Sequence, residues 1–412
     1  MATTRSFSAM LNDYLPNSLL KEEMVKRDWI LQNVDQDNSW AGGTLVVPFK
    51  GAQASSVSFG SLTDTSDVSE DANVRGEVTT QPEVWGTLKF NHRDLMEHGK
   101  LSEQNLLKML PDMVDDFMAY LKQCTSLSFL NGSSFAKVTD ATNAATGIMI
   151  VDRPERFEIG QKLSLDDDND SAASYYVTAI NVNTAAITLS ATRGGGAANV
   201  STYTVAQNAK FYFVGAQTAG FTSLKSSLLS AANGGSSTLY GTSKLAYPYL
   251  QSINVSGAAI TASNILDTIF DAYTTIKNRG KGNPNKVLVS YKHLGSIMKL
   301  LEIGKGAFHI SQTGTKVNVY GWTEIEITGV KGSLTVVGIQ EMDSDWIGFL
   351  DLRALKIYSN GFFRKRMSPD GVEYFEERAT TGYSYLVDTC FFGDLVLQRP
   401  SYCGVLASVA DY

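Results

Sequence analysis

Three cysteines, four histidines and nine prolines in 412 residues leave little material for several kinds of chemistry. Cys124, Cys390 and Cys403 are scattered, which excludes a disulfide framework and fits a reducing compartment. Among the histidines only His92 and His98 are close in sequence. Six helical residues rotate by about 240°, so that pair would not share a face, and no Glu or Cys completes a zinc set. His293 and His309 are isolated. No run of about 18 apolar residues exists, so no membrane-spanning helix is expected. The stretch Met1–Ser8 lacks the apolar core of a secretory signal, which makes the sequons at Asn131, Asn199 and Asn254 irrelevant as glycan sites. Charged residues make up only 19% and the net charge is -7. That is not the basic stripe of a dedicated nucleic-acid binder.

Catalytic signatures are missing as well. Gly194–Gly196 and Gly234–Gly235 are not followed by Lys-Ser/Thr and do not sit between a strand and a helix, so no phosphate cradle is expected. No G-x-S-x-G elbow occurs. The run Asp166–Asp170 superficially matches a calcium loop. The places where such a loop needs Gly and Glu hold Ser171 and Val177, so it reads as a solvated acidic turn. Asp343, Asp345 and Asp351 cluster in sequence, but nothing assigns them the split roles that glycan hydrolysis needs. The expectation is a protein with no catalytic residue, cofactor or metal.

What is present is apolar content of 43% and 35 glycines, in a chain long enough for two or three domains. Residues 1–40 read as an arm that needs a surface to become ordered, with a short helix carrying Leu19, Leu20, Met24 and Val25. Residues 41–92 read as a two-armed ribbon. Leu45–Phe49 and Ser56–Phe59 go out, and Val84–Phe90 returns with Val84, Gly86, Leu88 and Phe90 on one face. Two strands bury too little to be stable alone, so the ribbon must lie on its own body or on a neighbour. It is acidic: Lys50, Arg75 and Lys89 stand against Asp64, Asp67, Glu70, Asp71, Glu77 and Glu83.

Within 93–133, Pro111 at a first turn predicts a helix to Leu130, with Met113, Val114, Phe117, Leu121, Cys124 and Leu127 as its stripe. Short strands with Gly- and Asn-rich turns across 134–216 predict an inserted small β-barrel or sandwich. In 217–340 the pattern turns α/β after a Ser/Gly/Ala-rich stretch. Ser263 caps a helix bearing Ile265, Leu266, Ile269, Phe270, Tyr273 and Ile276, and Lys286–Ser290 is a buried strand. A helix at Gly295–Leu301 and strands at Val317–Tyr320, Glu324–Ile327 and Leu334–Val337 follow. Residues 341–412 predict a β meander of Trp346–Asp351, Val372–Glu376, Thr381–Val387 and Phe391–Leu397, with Arg364-Lys365-Arg366 at a basic turn.

This order of parts resembles the major capsid proteins of tailed double-stranded-DNA bacteriophages, the Hong Kong 97 fold. The residues that carry the resemblance are Trp346–Asp351, Gly371–Arg378, Gly382–Asp388 and Gly393–Pro400. The resemblance implies an α+β fold with an N-arm (1–40), an E-loop (41–92), a spine helix (93–133), an inserted all-β domain (134–216), an A-domain (217–340) and a P-domain sheet (341–412). It implies self-assembly of hexamers and pentamers into an icosahedral shell. It also implies a separate scaffolding protein, a portal, a possible decoration protein and only weak contact with packaged DNA. The expected interface pairs Glu70, Asp71 and Glu77 of one subunit with Arg364, Lys365 and Arg366 of another. Two alternatives stay open: an encapsulin-like nanocompartment, and a β-rich carbohydrate-binding or hydrolytic phage tail protein.

Overall fold

The computed structural model describes residues 17–40, 42–49, 74–91, 103–132, 134–140, 147–165, 174–196, 209–216, 221–280, 282–303, 324–329, 332–361, 363–366, 375–379 and 382–409. The chain divides into two compact units, Leu127–Ser223 and the remainder on either side of it. Helices and sheets are mixed in the larger unit, an α+β architecture.

In chain order, α1 is Asn17–Arg27, α2 is Trp29–Asn33 and β1 is Gln36–Asp37. Strands β2 (Leu45–Pro48), β3 (Arg75–Val78) and β4 (Glu83–Asn91) lead to a long helix α3 (Glu103–Asn131). The smaller unit holds β5 (Ser134–Asp140), β6 (Ile148–Val151), β7 (Lys162–Leu165), β8 (Ser174–Asn181), β9 (Ala186–Ser190) and β10 (Lys210–Phe213). There follow α4 (Leu224–Leu228), β11 (Thr238–Leu239), β12 (Thr242–Ser243), β13 (Ile253–Ser256), α5 (Ile265–Arg279), β14 (Lys286–Ser290) and α6 (Tyr291–Ile303). The chain ends in β15 (Glu324–Gly329), β16 (Gly332–Ile339), β17 (Trp346–Leu350), β18 (Leu355–Ser359), β19 (Arg364–Lys365), β20 (Phe375–Ala379), β21 (Gly382–Leu397) and β22 (Gly404–Ala407).

Strands β10-β5-β6-β9-β8-β7 close into a barrel. Phe135, Val138, Met149, Leu163, Val177, Ile187, Leu189 and Phe211 are buried together in its core, with burial alternating along β6 and the first half of β8. Phe135 meets Phe157 and Phe213 edge-on at 4.8 and 4.9 Å, the arrangement that ring quadrupoles favour.

The larger unit holds two six-stranded sheets. One runs β13-β22-β17-β14-β16-β15 and carries α5 and α6. On α5 the apolar spacing does what it predicts: Ile265, Leu266, Ile269, Tyr273 and Ile276 are buried. Each such side chain contributes about 1.5–3 kcal/mol. Asn264, not Ser263, is the N-cap residue, and Gly280 closes the helix. The other sheet is built on β21, whose 16 residues pair along one edge with β4 and along the other with β20, β19 and β18 in turn.

Four expectations are corrected. The terminal meander does not form: residues 382–387 and Phe391–Leu397 lie in the single strand β21, and Trp346–Leu350 pairs with β14 and β22 in the other sheet. The returning arm of the ribbon is Arg75–Val78, which pairs with Leu45–Pro48, while Val84–Phe90 belongs to the β21 sheet. The helix starts at Glu103, so Pro111 lies inside it. Finally, residues 20–40 are no loose arm. Leu20, Met24, Trp29, Ile30, Leu31, Val34 and Trp40 are buried, and β1 pairs in parallel with β18. The segments Ser56–Phe59 and Val317–Tyr320 lie outside the described residues.

Candidate assembly surface

The β4–β21 pairing sets two faces by parity, because neighbouring residues on a strand point to opposite sides. Val84, Gly86 and Leu88 stand opposite Phe391, Thr389 and Val387 on the inner face. Gly86 is small for a reason of space: a Cβ there would lie 2.7 Å from Cζ of Phe117 on α3. The Thr389 hydroxyl donates to the Gly86 carbonyl at 3.1 Å. The long helix therefore packs on this sheet, through Phe117. Its buried line is Val114, Met118, Leu121 and Thr125, whereas Met113, Phe117 and Cys124 are half-buried.

The same helix is tied to the residues after α1. Asp28 caps α2 by accepting from the amides of Ile30 and Leu31 at 2.7 and 3.1 Å, and the Ser126 hydroxyl on α3 donates to its other oxygen. Burial pushes the Asp28 carboxyl above its ordinary value, against the pull of Lys122, Ser126 and the Leu31 amide. Lys122 itself is ion-paired with Glu341.

On the outer face stand Glu83, Trp85, Thr87 and Lys89, all exposed. Trp85 is 47% accessible, a large aromatic left on the surface. Its indole N–H donates to Glu83 at 2.9 Å, and its ring meets Phe392 edge-on at 5.3 Å. The Arg366 guanidinium lies 5.8 Å from the Trp85 ring centroid, and that of Arg364 lies 5.9 Å from Phe392. Asp388 pairs with Arg366 at 3.7 Å and accepts from Thr87 at 2.8 Å. Two guanidiniums over two aromatic rings form a half-apolar patch suited to carboxylates.

The basic triplet thus divides. Arg364 stands opposite Cys390, outward and exposed, but Lys365 stands opposite Thr389 on the inner parity and is 2% accessible. Arg364-Lys365 is a strand rather than a solvated turn. Glu77 is exposed on β3. Glu70 and Asp71 lie outside the described residues, as do His92, His98, His309 and the Asp166–Asp170 run. His293 is fully buried, with Nε2 2.7 Å from the Ser344 carbonyl. Trp85 and Phe392 were missed as surface groups. The signal was there in the polar parity of Glu83–Lys89, on which Trp85 is the odd member.

The acidic cluster is occupied by ion pairs. Lys225 bridges Asp345 at 2.7 Å and Asp343 at 3.4 Å. Burial would raise the Asp351 carboxyl, but the Arg353 guanidinium at 2.7 Å and N–H donors from Asn283 and Arg353 lower it. Burial pushes the Cys124 and Cys403 thiols up to about 12, far from nucleophilic use. No group of metal-ligand residues occurs among the described residues, and no described helix is long and apolar enough to cross a membrane.

No protein-family model matches the chain, and no curated protein matches its sequence. Among solved structures, a chain of the cyanophage A-1(L) capsid asymmetric unit is 12% identical, with 92% of this chain and 91% of that chain covered and a TM-score of 0.48. A chain of the capsid of the native GTA particle is 11% identical, with coverage of 92% and 90% and a TM-score of 0.46. A chain of the holo-SrpI encapsulin complex from Synechococcus elongatus PCC 7942 is 9% identical, with coverage of 93% and 89% and a TM-score of 0.40. Over nearly its whole length, and at low identity, the chain is similar to chains of phage capsids and of an encapsulin complex.

Proposed function

We propose that this chain is the major capsid protein of a tailed double-stranded-DNA bacteriophage, a structural subunit that assembles into the icosahedral shell around the genome. The observation that carries the reading is the seating of α3 on the β4–β21 sheet. A long helix meets strands that begin before it and end almost 300 residues later, with the barrel and all but the last strand of the α/β sheet between them in sequence. We read that order as ribbon, spine helix, insertion, A-domain and returning P-domain strands. The ion-paired acidic cluster speaks against the hydrolytic alternative, because each carboxylate already has a cation beside it. In this reading 134–216 is an inserted domain on the capsid surface, and hexamers, pentamers, a scaffolding protein and a portal are its partners. Electron microscopy of the purified protein tests the reading. Closed icosahedral shells are expected. Uniformly monomeric protein that cleaves a glycan defeats it, and shells that enclose a cargo enzyme transfer it to the nanocompartment class.

The interface we propose joins the acidic ribbon of one subunit, through Glu70, Asp71 and Glu77, to the outer basic patch of another. Arg364 and Arg366 supply the charge, and Lys365 acts from within the sheet by holding the strand. Exposed pairs contribute only about 0–1 kcal/mol each, so they set geometry more than strength. Reversing both arginines to Glu is expected to lower shell yield while the monomer keeps its fold by circular dichroism; an unchanged yield rejects the pairing.

A further inference from the structure

The root of the β2–β3 ribbon is not held by the ribbon's own ladder alone. The β11–β12 hairpin reaches it. Its turn places Tyr240 and Gly241 at φ 47° and 79°, the left-handed pair of a tight hairpin. For tyrosine that backbone region is uncommon and carries strain. Three contacts of the strained residue join it to the ribbon and to β21. Its carbonyl accepts from the Glu77 amide on β3 at 2.9 Å. Its ring is parallel to that of Phe49, just beyond β2, with centroids 6.1 Å apart. Its hydroxyl accepts from the Leu397 amide at the end of β21 at 2.8 Å. On either side of the turn the hairpin is fixed as well. The Thr242 hydroxyl donates to the Arg75 carbonyl at 3.2 Å. Lys244, buried, donates to the carbonyls of Ser226, Ser227 and Leu229 at 3.0, 2.8 and 3.1 Å. Gly76 completes the fit: a Cβ there would lie 2.8 Å from both the Phe49 ring and the Tyr240 Cβ.

We propose that this hairpin is a latch that fixes the direction in which the ribbon leaves the body, with Tyr240 as its bolt and Gly76 as its seat. Lys244 and Leu397 tie the bolt to the body, and Glu77, Arg75 and Phe49 tie it to the ribbon. A ribbon anchored at two strands and one side chain has a defined exit angle, and a ribbon without the bolt pivots on its own two strands. The consequence for assembly rests on the shell reading: the latch decides which part of a neighbour the ribbon reaches.

Amide hydrogen exchange separates the two. In an antiparallel pair alternate residues turn their N–H to the partner strand, so Glu77, which faces the hairpin, is flanked by residues that face β2. Gly76→Ala is expected to raise exchange at the Glu77 amide about tenfold or more, with the amides of Val287 and Val337 in the other sheet unchanged. Thr242→Val, which leaves the core untouched, is expected to raise it by a smaller factor. If Glu77 exchanges at the wild-type rate in both variants, or if both loosen the whole chain equally, the latch is wrong. In the assembly arm, Gly76→Ala is expected to reduce closed shells. Wild-type shells from a Gly76→Ala protein with a loosened Glu77 would overturn the claim that exit angle governs reach. Failure of the wild type itself to form shells would sink the shell reading and leave the exchange result to decide the latch.

Discussion

The barrel and the β21 sheet use the same strand chemistry with opposite wiring. In the barrel, β5 pairs with β6, β7 with β8 and β8 with β9, so half of its six pairings join strands a short loop apart, and the rest stay within β5–β10. In the β21 sheet, Gly86 pairs with Thr389, 303 residues away. A neighbouring strand finds its partner at little loop-closure cost, whereas the long-range pair forms only once other contacts hold the ends together. The difference teaches that the barrel is stabilised from within, while the β21 sheet depends on what is braced against it: α3 through Phe117, and residues 28–40 through Asp28 and β1.

The largest expected effect tests the barrel. Phe211→Ala removes a fully buried ring from its centre and is expected to cost about 3–5 kcal/mol. Hydrogen exchange should show protection lost in β5–β10 and kept in β21. Simultaneous loss in both would erase the distinction. Next comes the brace. Gly86→Ala forces the Phe117 ring off its seat and is expected to cost about 1–3 kcal/mol, read as a lower denaturation midpoint with the barrel's own exchange unaltered.

Asp28 gives an effect of similar sign and a pH signature. Asp28→Ala removes the α2 cap at about 1–2 kcal/mol. Asp28→Asn keeps the acceptor and removes the charge. Because burial raises the folded carboxyl above its unfolded value, the folded state binds the proton more tightly, and wild-type stability falls as pH rises through the folded value from about 4. The Asn variant should lack that fall in urea titrations across pH 4–7, and a parallel fall would refute it.

The smallest effect is at the β1–β18 join. The Lys356 ammonium, 2.7 Å from Asp37, leads the causes that lower that carboxyl to about 2. This contribution is present above the ordinary carboxylate range and disappears as pH falls from about 4 towards 2. The pair is open to solvent and screened, so Lys356→Ala should cost no more than about 1 kcal/mol at pH 7, visible as a small shift in thermal midpoint that vanishes at pH 2.

Legibility followed the same divide. Gly- and Asn-rich turns marked 134–216 as a run of short strands, and the 3.6-residue spacing placed the buried face of α5. Parity along Glu83–Asn91 was right about Leu88, yet the strand was assigned to the wrong partner. Two runs around Asp388-Thr389-Cys390 read as separate strands, because polar residues there look like a gap. In the sheet, Thr389 and Cys390 are buried and Asp388 pairs with Arg366 across the surface. The Lys365 reading failed for the same reason: three consecutive basic residues look like one patch until a strand sends the middle one inward.

By itself, then, the sequence determined local matters: which segments are helix or strand, which face of each is apolar, and the absence of catalytic and metal-binding motifs. Those follow from spacing, and spacing is a property of neighbouring residues. Only the tertiary structure decided that β4 lies beside β21 and not beside β2, that Trp346–Leu350 joins the α/β sheet, and that Tyr240 seats the ribbon. Any apolar strand of the right parity can satisfy another's hydrogen bonds. Which one does so is settled by close approaches such as Phe117 on Gly86 and Tyr240 on Gly76, and these exist only after the chain has come together.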